Sequence, residues 1–255
     1  MAKVMQGMYY HEETLMMQAS ENDINFQVLT RFRKQIGLPS TVENETLLRN
    51  WRLIRERENR FHPTIAAILL FGYEPQSFVP YAYISAARIP GTDPATPPSD
   101  GKRIEGTLFS MAEDAGRFLR LHLQVAHKIE GFEPESHPEL PEVALRETIV
   151  NALVHRDYTI SAPIRLFIFD DRVEVRSPGV LPNTVTLDMV KSGLAHVLRN
   201  PILYSFFNRA GLVTDTGNGI LRVIRSVKDA VGREPEIKLE GNEVVVVLPR
   251  KAGAE

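Results

Sequence analysis

The sequence predicts an α+β fold: a layered sandwich in which a mixed sheet carries its helices on one face, preceded by a small helical segment. Three observations predict it. Pro141 to His155 reads as an amphipathic helix, and Ile164 to Arg176 alternates as a hairpin directly after it. A second hairpin, EIKLEGNEVVVVL, turns around Gly241-Asn242 near the end of the chain, with Val244, Val246 and Leu248 expected to face inward. A helix followed by antiparallel pairs buries its apolar stripe only by lying on the sheet they form.

Composition sets the frame. The chain has 255 residues, 43% of them hydrophobic, enough for one large core or two modest ones. No apolar run approaches the roughly 20 residues of a membrane helix, and the start lacks signal-peptide order, so a cytoplasmic protein is expected. Cysteine is absent, which excludes disulfides, thiolate metal sites and a cysteine nucleophile. A formal net charge of −2 argues against a chain that is cationic overall, and DNA contact by it is doubtful.

Residues 1–60 read as a polar helical segment. One helix is expected from about Ile24 to Lys34, and another from Thr41 through Leu47, Leu48, Trp51 and Ile54. Arginine recurs at Arg49, Arg52, Arg55, Arg57 and Arg60, but Glu56 and Glu58 interleave and no aromatic platform accompanies them; a solvated face is the better reading. Next, IAAILLF at 65–71 and YAYISAARI at 81–89 read as buried strands. GTDPATPPSDGKRIEG at 91–106 reads as an exposed loop. Its Gly101-Lys102 is no phosphate loop, because Thr96 and Arg103 break the pattern, so a helicase motor is not supported. Gly106 to about Ile129 reads as one long amphipathic helix ended by Gly131 and Pro134, with a loop, FEPESHPEL, after it; His122 and His127 are ordinary packing or surface residues.

In the helix that opens at Pro141, Glu147, Asn151 and His155 follow at four-residue steps and drift by only about 40° each along one stripe. Leu145, Ile149, Ala152 and Leu153 fall on the other side. The hairpin beyond delivers Ser177-Pro178-Gly179 to a strand end. Thr186 is placed to cap a short helix LDMVK, and Asn200-Pro201 to start another that closes near Gly211. Gly217 and Gly219 stand at the start of a further helix, where backbone N–H groups and the helix dipole favour an anion.

Glu147, Asn151, Ala152 and His155 together resemble the ExxxNAxxH helix of the GHKL (Bergerat-fold) ATPases. ALRETIVNALVHRDY followed by IFDDRVEVRSPGVLP is more closely similar to the divergent GHKL-type domain of Schlafen/AlbA-linked transcriptional regulators, members of which are often labelled ATP-dependent DNA helicase RecG-like. The surroundings of Tyr9, Tyr10 and Ala19 resemble the end of the Schlafen/AlbA-type domain, whose body is not in this sequence. The resemblance implies a junction at 1–60 and a GHKL-like ATP-binding domain at 61–255 with a lid region at 180–216. It implies ATP and magnesium as cofactors: Asn151 as a metal ligand, Glu147 as the residue that orients or deprotonates water, and His155 near phosphate or metal. Ser177 and Gly179 would lie at the base, Arg199 at the terminal phosphate, and Gly217 and Gly219 at the phosphate backbone. Ordinary members carry the aspartate of DxGxG where Ser177 stands, and a neutral hydroxyl contributes less than a charged acceptor. Two functions follow from the resemblance. One is an ATP-binding transcriptional regulator in which nucleotide binding or slow hydrolysis switches an assembly with a protein partner or a second copy. The other is a catalytically inactive interaction module of the same fold.

Overall fold

Six strands build the central sheet, and their alternation decides which face is buried. The computed structural model describes residues 10–251 apart from 40, 124, 131–132, 183, 196 and 214–217. After two 3-10 turns (His11–Glu13 and Glu21–Asp23) come α1 (Phe26–Gln35), α2 (Asn44–Asn50), the hairpin β1 (Ile54–Arg57) and β2 (Arg60–Pro63), α3 (Ile65–Phe71) and α4 (Pro75–Phe78). Then follow β3 (Ile84–Arg88), β4 (Asp100–Ile104), α5 (Leu108–His122), β5 (Val125–Glu130), β6 (Glu133–Pro138) and α6 (Glu142–His155). The remainder is β7 (Ile164–Ile168), β8 (Arg172–Pro178), α7 (Leu187–Lys191), α8 (Pro201–Arg209), α9 (Gly219–Val231), β9 (Glu236–Glu240) and β10 (Glu243–Pro249).

The central sheet runs β4-β3-β7-β8-β10-β9, with β3 and β7 parallel and every other neighbour antiparallel. This is the expected mixed sheet. Register lines up Ala86, Leu166, Val175 and Val246 on one face, and that face meets α5, α6 and α9. On the opposite face, Arg165 pairs with Glu243, Arg176 with Glu174 and Glu240, and Arg172 with Glu174, a lattice of ion pairs over Val245. One face is therefore dressed with helices and the other with charge. Side chains of the first 60 residues, including Met16, Ile24, Leu29 and Phe32, share the core with α3, α6 and the sheet.

Several expectations are corrected. IAAILLF is helix α3, with all seven side chains buried; Thr64 caps it by accepting the Ala67 N–H at 3.2 Å. A run apolar on every side has no period, so helix and strand read alike. Residues 100–104, expected as loop, form the edge strand β4, whose exposed, polar side chains suit an edge. The long helix stops at His122, and Val125–Glu130 pairs instead with Glu133–Pro138, part of the expected loop. Likewise the helix through Trp51 and Ile54 stops at Asn50, where Arg52 takes φ 59° and the chain turns into β1. Of the two valines and the leucine expected inward on β10, Leu248 is in the core, while Val244 and Val246 line a cavity. Thr186 does cap α7 by accepting the Met189 N–H, and Pro201 opens α8.

Candidate functional site

The cavity lies where α6 crosses the sheet and the 180–199 segment folds over both. Its volume is about 310 Å³. Asn151 and His155 project into it from α6, while Val175, Ser177 and Gly179 come from β8 and its exit; Arg199 and Gly219 close the wall. Glu147 lies there too, so seven of the eight residues singled out in the sequence border one space. The eighth, Gly217, lies outside the described residues.

The expectation that α6 is amphipathic needs correction, because its buried residues, Glu147, Thr148 and Val150 as well as Leu145, Ile149 and Leu153, lie all round the helix. The helix is packed between the sheet, α5 and α9, and Glu147 is 1% exposed. Its Oε1 pairs with Arg222 on α9, whereas Oε2 is buried with no hydrogen-bond partner among the described residues. Burial pushes the Glu147 carboxyl above its ordinary value, opposed by the charges of Arg222 and Arg146. Gly219 explains how the helices come so close: a Cβ there would stand 2.7 Å from Glu147 Oε2. Its missing side chain thus makes room for a carboxylate of the protein itself. Asn151 differs from Glu147, because its amide makes no hydrogen bond among the described residues and faces the cavity.

His155 sits half-buried beside Tyr204, with ring centroids 6.2 Å apart. Desolvation, aided by the charge of Arg199, lowers its pKa to about 4, so it is neutral at pH 7. The Ser177 hydroxyl donates to the Ala152 carbonyl at 3.0 Å, which leaves its lone pairs as acceptors toward the cavity. Gly179 holds φ at 122°, and a Cβ there would meet the Asp157 Cβ at 2.8 Å. Arg199, expected to reach for a phosphate, is already engaged: Nη1 donates to Asp157 Oδ2 at 2.7 Å and Nη2 to the Val180 carbonyl. Burial works against the Asp157 carboxylate, but hydrogen bonds from Thr159 and the charges of Arg199 and His11 outweigh it and hold its pKa low.

Arg222 and Asp157 were not foreseen. The spacing of GNGILR puts Arg222 three residues beyond Gly219, hence on the same helix face, and that signal was available in the sequence. Among the described residues no three His, Asp or Glu side chains converge as a metal cage. A magnesium ion here would depend on water and phosphate oxygens for most of its ligands, as that ion commonly does, with Asn151 as a protein oxygen. The uncommitted Asn151 amide and the orphaned Glu147 Oε2 fit that group.

Residues 161–248 match the model of a family described as "Putative ATP-dependent DNA helicase recG C-terminal". The match is to an ATPase-like domain. It spans the sheet from β7 to β10 and the 180–199 segment, and it begins after α6, so Glu147, Asn151 and His155 lie outside it. Among solved structures, the DIP2311 protein of Corynebacterium diphtheriae matches with a TM-score of 0.75 at 23% identity, over 96% of this chain and 48% of its own. That likeness establishes the fold, and the chain spans about half the length of that relative. No curated protein matches the chain. No helix among the described residues is long and apolar enough to cross a membrane. The arginines weighed as a nucleic-acid face are partly committed: Arg49 pairs with Glu45, and Arg52 and Arg55 with Glu13.

Proposed function

We propose that the cavity binds ATP with magnesium and that its occupancy switches a transcriptional regulatory assembly, with a protein partner or a second copy of the chain. The observation that carries this reading is the convergence of Glu147, Asn151, His155, Ser177, Gly179, Arg199 and Gly219 on one cavity whose volume suits a small-molecule site. The apolar walls at Val175, Val244, Val246 and Ile237 would take the base, with the Ser177 hydroxyl accepting from its exocyclic amine. Asn151 would give the metal a neutral oxygen, and the metal when bound would offset phosphate charge. His155, neutral at pH 7, would accept or donate a hydrogen bond near the phosphates without adding charge. Gly219, at the start of α9, would offer a backbone donor to the phosphates, the role that the resemblance also gives Gly217. Glu147 would orient an attacking water or take its proton, and its raised pKa favours proton uptake once Arg222 withdraws.

A second reading keeps the fold as a protein-interaction module without productive chemistry. Two ion pairs favour it: Glu147 with Arg222 and Arg199 with Asp157 occupy both charged groups that hydrolysis would use. Calorimetric titration with ATP, with and without magnesium and against GTP, separates the two. Saturable magnesium-dependent binding, lost in Asn151→Ala with the fold intact, supports the nucleotide reading. No heat at millimolar nucleotide from folded protein removes it in favour of the interaction module.

A further inference from the structure

The segment ahead of α1 reaches the lid side of the cavity. Its 3-10 turn, His11–Glu13, is followed by an antiparallel bridge between Leu15 and Thr64, with the Ile65 N–H donating to the Thr14 carbonyl at 3.0 Å. From this turn Glu12 points inward and is 0% exposed. Its two oxygens accept the backbone N–H groups of Ile202 at 2.7 Å and Leu203 at 2.9 Å, in the first turn of α8. Pro201 has no N–H to offer, so Glu12 takes the next two donors, which a helix start leaves free.

A helix is ordinarily capped by its own N-cap side chain. Here Asn200 holds that position, but its amide turns back to donate to the Val154 carbonyl at 2.7 Å and the Arg156 carbonyl at 2.9 Å. The cap of α8 therefore comes from a residue 190 positions away. The residues on either side of Glu12 are tied down separately. Glu13 pairs with Arg55 at 2.9 Å, and His11 lies beside the Asp157 carboxylate that holds Arg199. Arg199 and Tyr204, just before α8 and within it, both line the cavity. Among the described residues Glu12 is hydrogen-bonded only by backbone N–H groups, and burial, aided by the Glu13 charge, pushes its carboxyl up to about 7. A buried carboxylate without a cationic partner is a weaker tie than its two hydrogen bonds suggest.

We infer that His11–Glu13 is a strap that holds helix α8 against the cavity, so that release of Glu12 from the start of α8 loosens the wall formed by Arg199 and Tyr204. Nucleotide binding enters only in the last step, where the inference rests on the reading given above: a loosened wall weakens ATP.

Hydrogen exchange on the full chain, comparing wild type with Glu12→Ala and the milder Glu12→Gln, tests the strap without any ligand. In Glu12→Ala, amides of α8 and of 197–200 should exchange roughly tenfold faster, as loss of a helix cap implies, while β7 and β8 stay unchanged. Glu12→Gln, which keeps one acceptor, should fall between. Exchange that is unchanged at α8, or raised equally in α8 and the sheet, would overturn the strap. If wild type binds ATP, its Kd should weaken by roughly tenfold in Glu12→Ala. Local opening of α8 with an unchanged Kd would overturn the coupling while leaving nucleotide binding standing. If wild type binds no ATP, the nucleotide reading fails and the exchange pattern alone decides the strap.

Discussion

Gly219→Ala puts the α6–α9 contact to a quantitative test. The added methyl would sit 2.7 Å from Glu147 Oε2, well inside van der Waals contact, and 3.5 Å from its Cδ, at ordinary contact. Glu147 cannot retreat cheaply, because it is 1% exposed and its other oxygen is held by Arg222. Overpacking of this kind costs about 1–3 kcal/mol. Replacing glycine by alanine in a helix returns at most about 1 kcal/mol, and less at a first helical position. The net expectation is a loss of about 1–2 kcal/mol, read as a lower denaturant midpoint with an unchanged slope. A double-mutant cycle with Glu147→Ala isolates the cause. Once the carboxylate is gone, the alanine at 219 has space, so the cycle should show an interaction energy of about 1–2 kcal/mol in the favourable direction. A neutral or stabilising Gly219→Ala, or strict additivity in the cycle, would refute the view that Gly219 exists to admit Glu147.

Two pH dependences of opposite sign follow from buried groups. Glu12 has its pKa raised from 4.5 to about 7, so the folded state holds the extra proton between those values and stability falls as pH rises through them. The stability difference between wild type and Glu12→Gln should therefore decline with pH there, by at most about 1.4 kcal/mol per unit, in denaturation series at fixed salt. His155, lowered from 6.5 to about 4, acts the other way: the wild-type advantage over His155→Gln should grow as pH rises between those values and level off above 6.5. A flat difference in either series would refute the corresponding burial argument. Gly179→Ala should cost about 1–3 kcal/mol, because it combines φ 122° with a 2.8 Å approach to Asp157. Gly211→Ala, at φ 73° with open space around it, should cost only about 1 kcal/mol; equal losses in the two would remove the steric part of the argument. Ser177→Ala should cost about 1 kcal/mol for the lost bond to the Ala152 carbonyl and, if ATP binds, should narrow its preference over GTP.

The sequence by itself determined the elements whose signals are local. The helix from Pro141 to His155 carries its start signal in Pro141 and Glu142, and the hairpin that follows and the closing hairpin at Gly241-Asn242 carry their period and their turn residues within a few positions. Thr186 and Asn200-Pro201 mark helix starts by the same kind of short-range chemistry. The four-residue spacing on α6 likewise sufficed to bring Asn151 and His155 to one cavity. Where several layers meet, local signals ran out. IAAILLF is a helix because it is enclosed on every side, and an enclosed segment has no polar face to reveal its period. Residues 125–130 pair as a strand although their apolar spacing continues that of α5, because the partner strand at 133–138 supplies the hydrogen bonds. Only the tertiary structure decided what the charged groups face. Glu147 is met by Arg222 from 75 positions away, Arg199 is met by Asp157, and Glu12 meets the start of α8. The physical reason is that a buried charge is settled by whichever partner the packing brings within about 3 Å. That partner belongs to the fold as a whole.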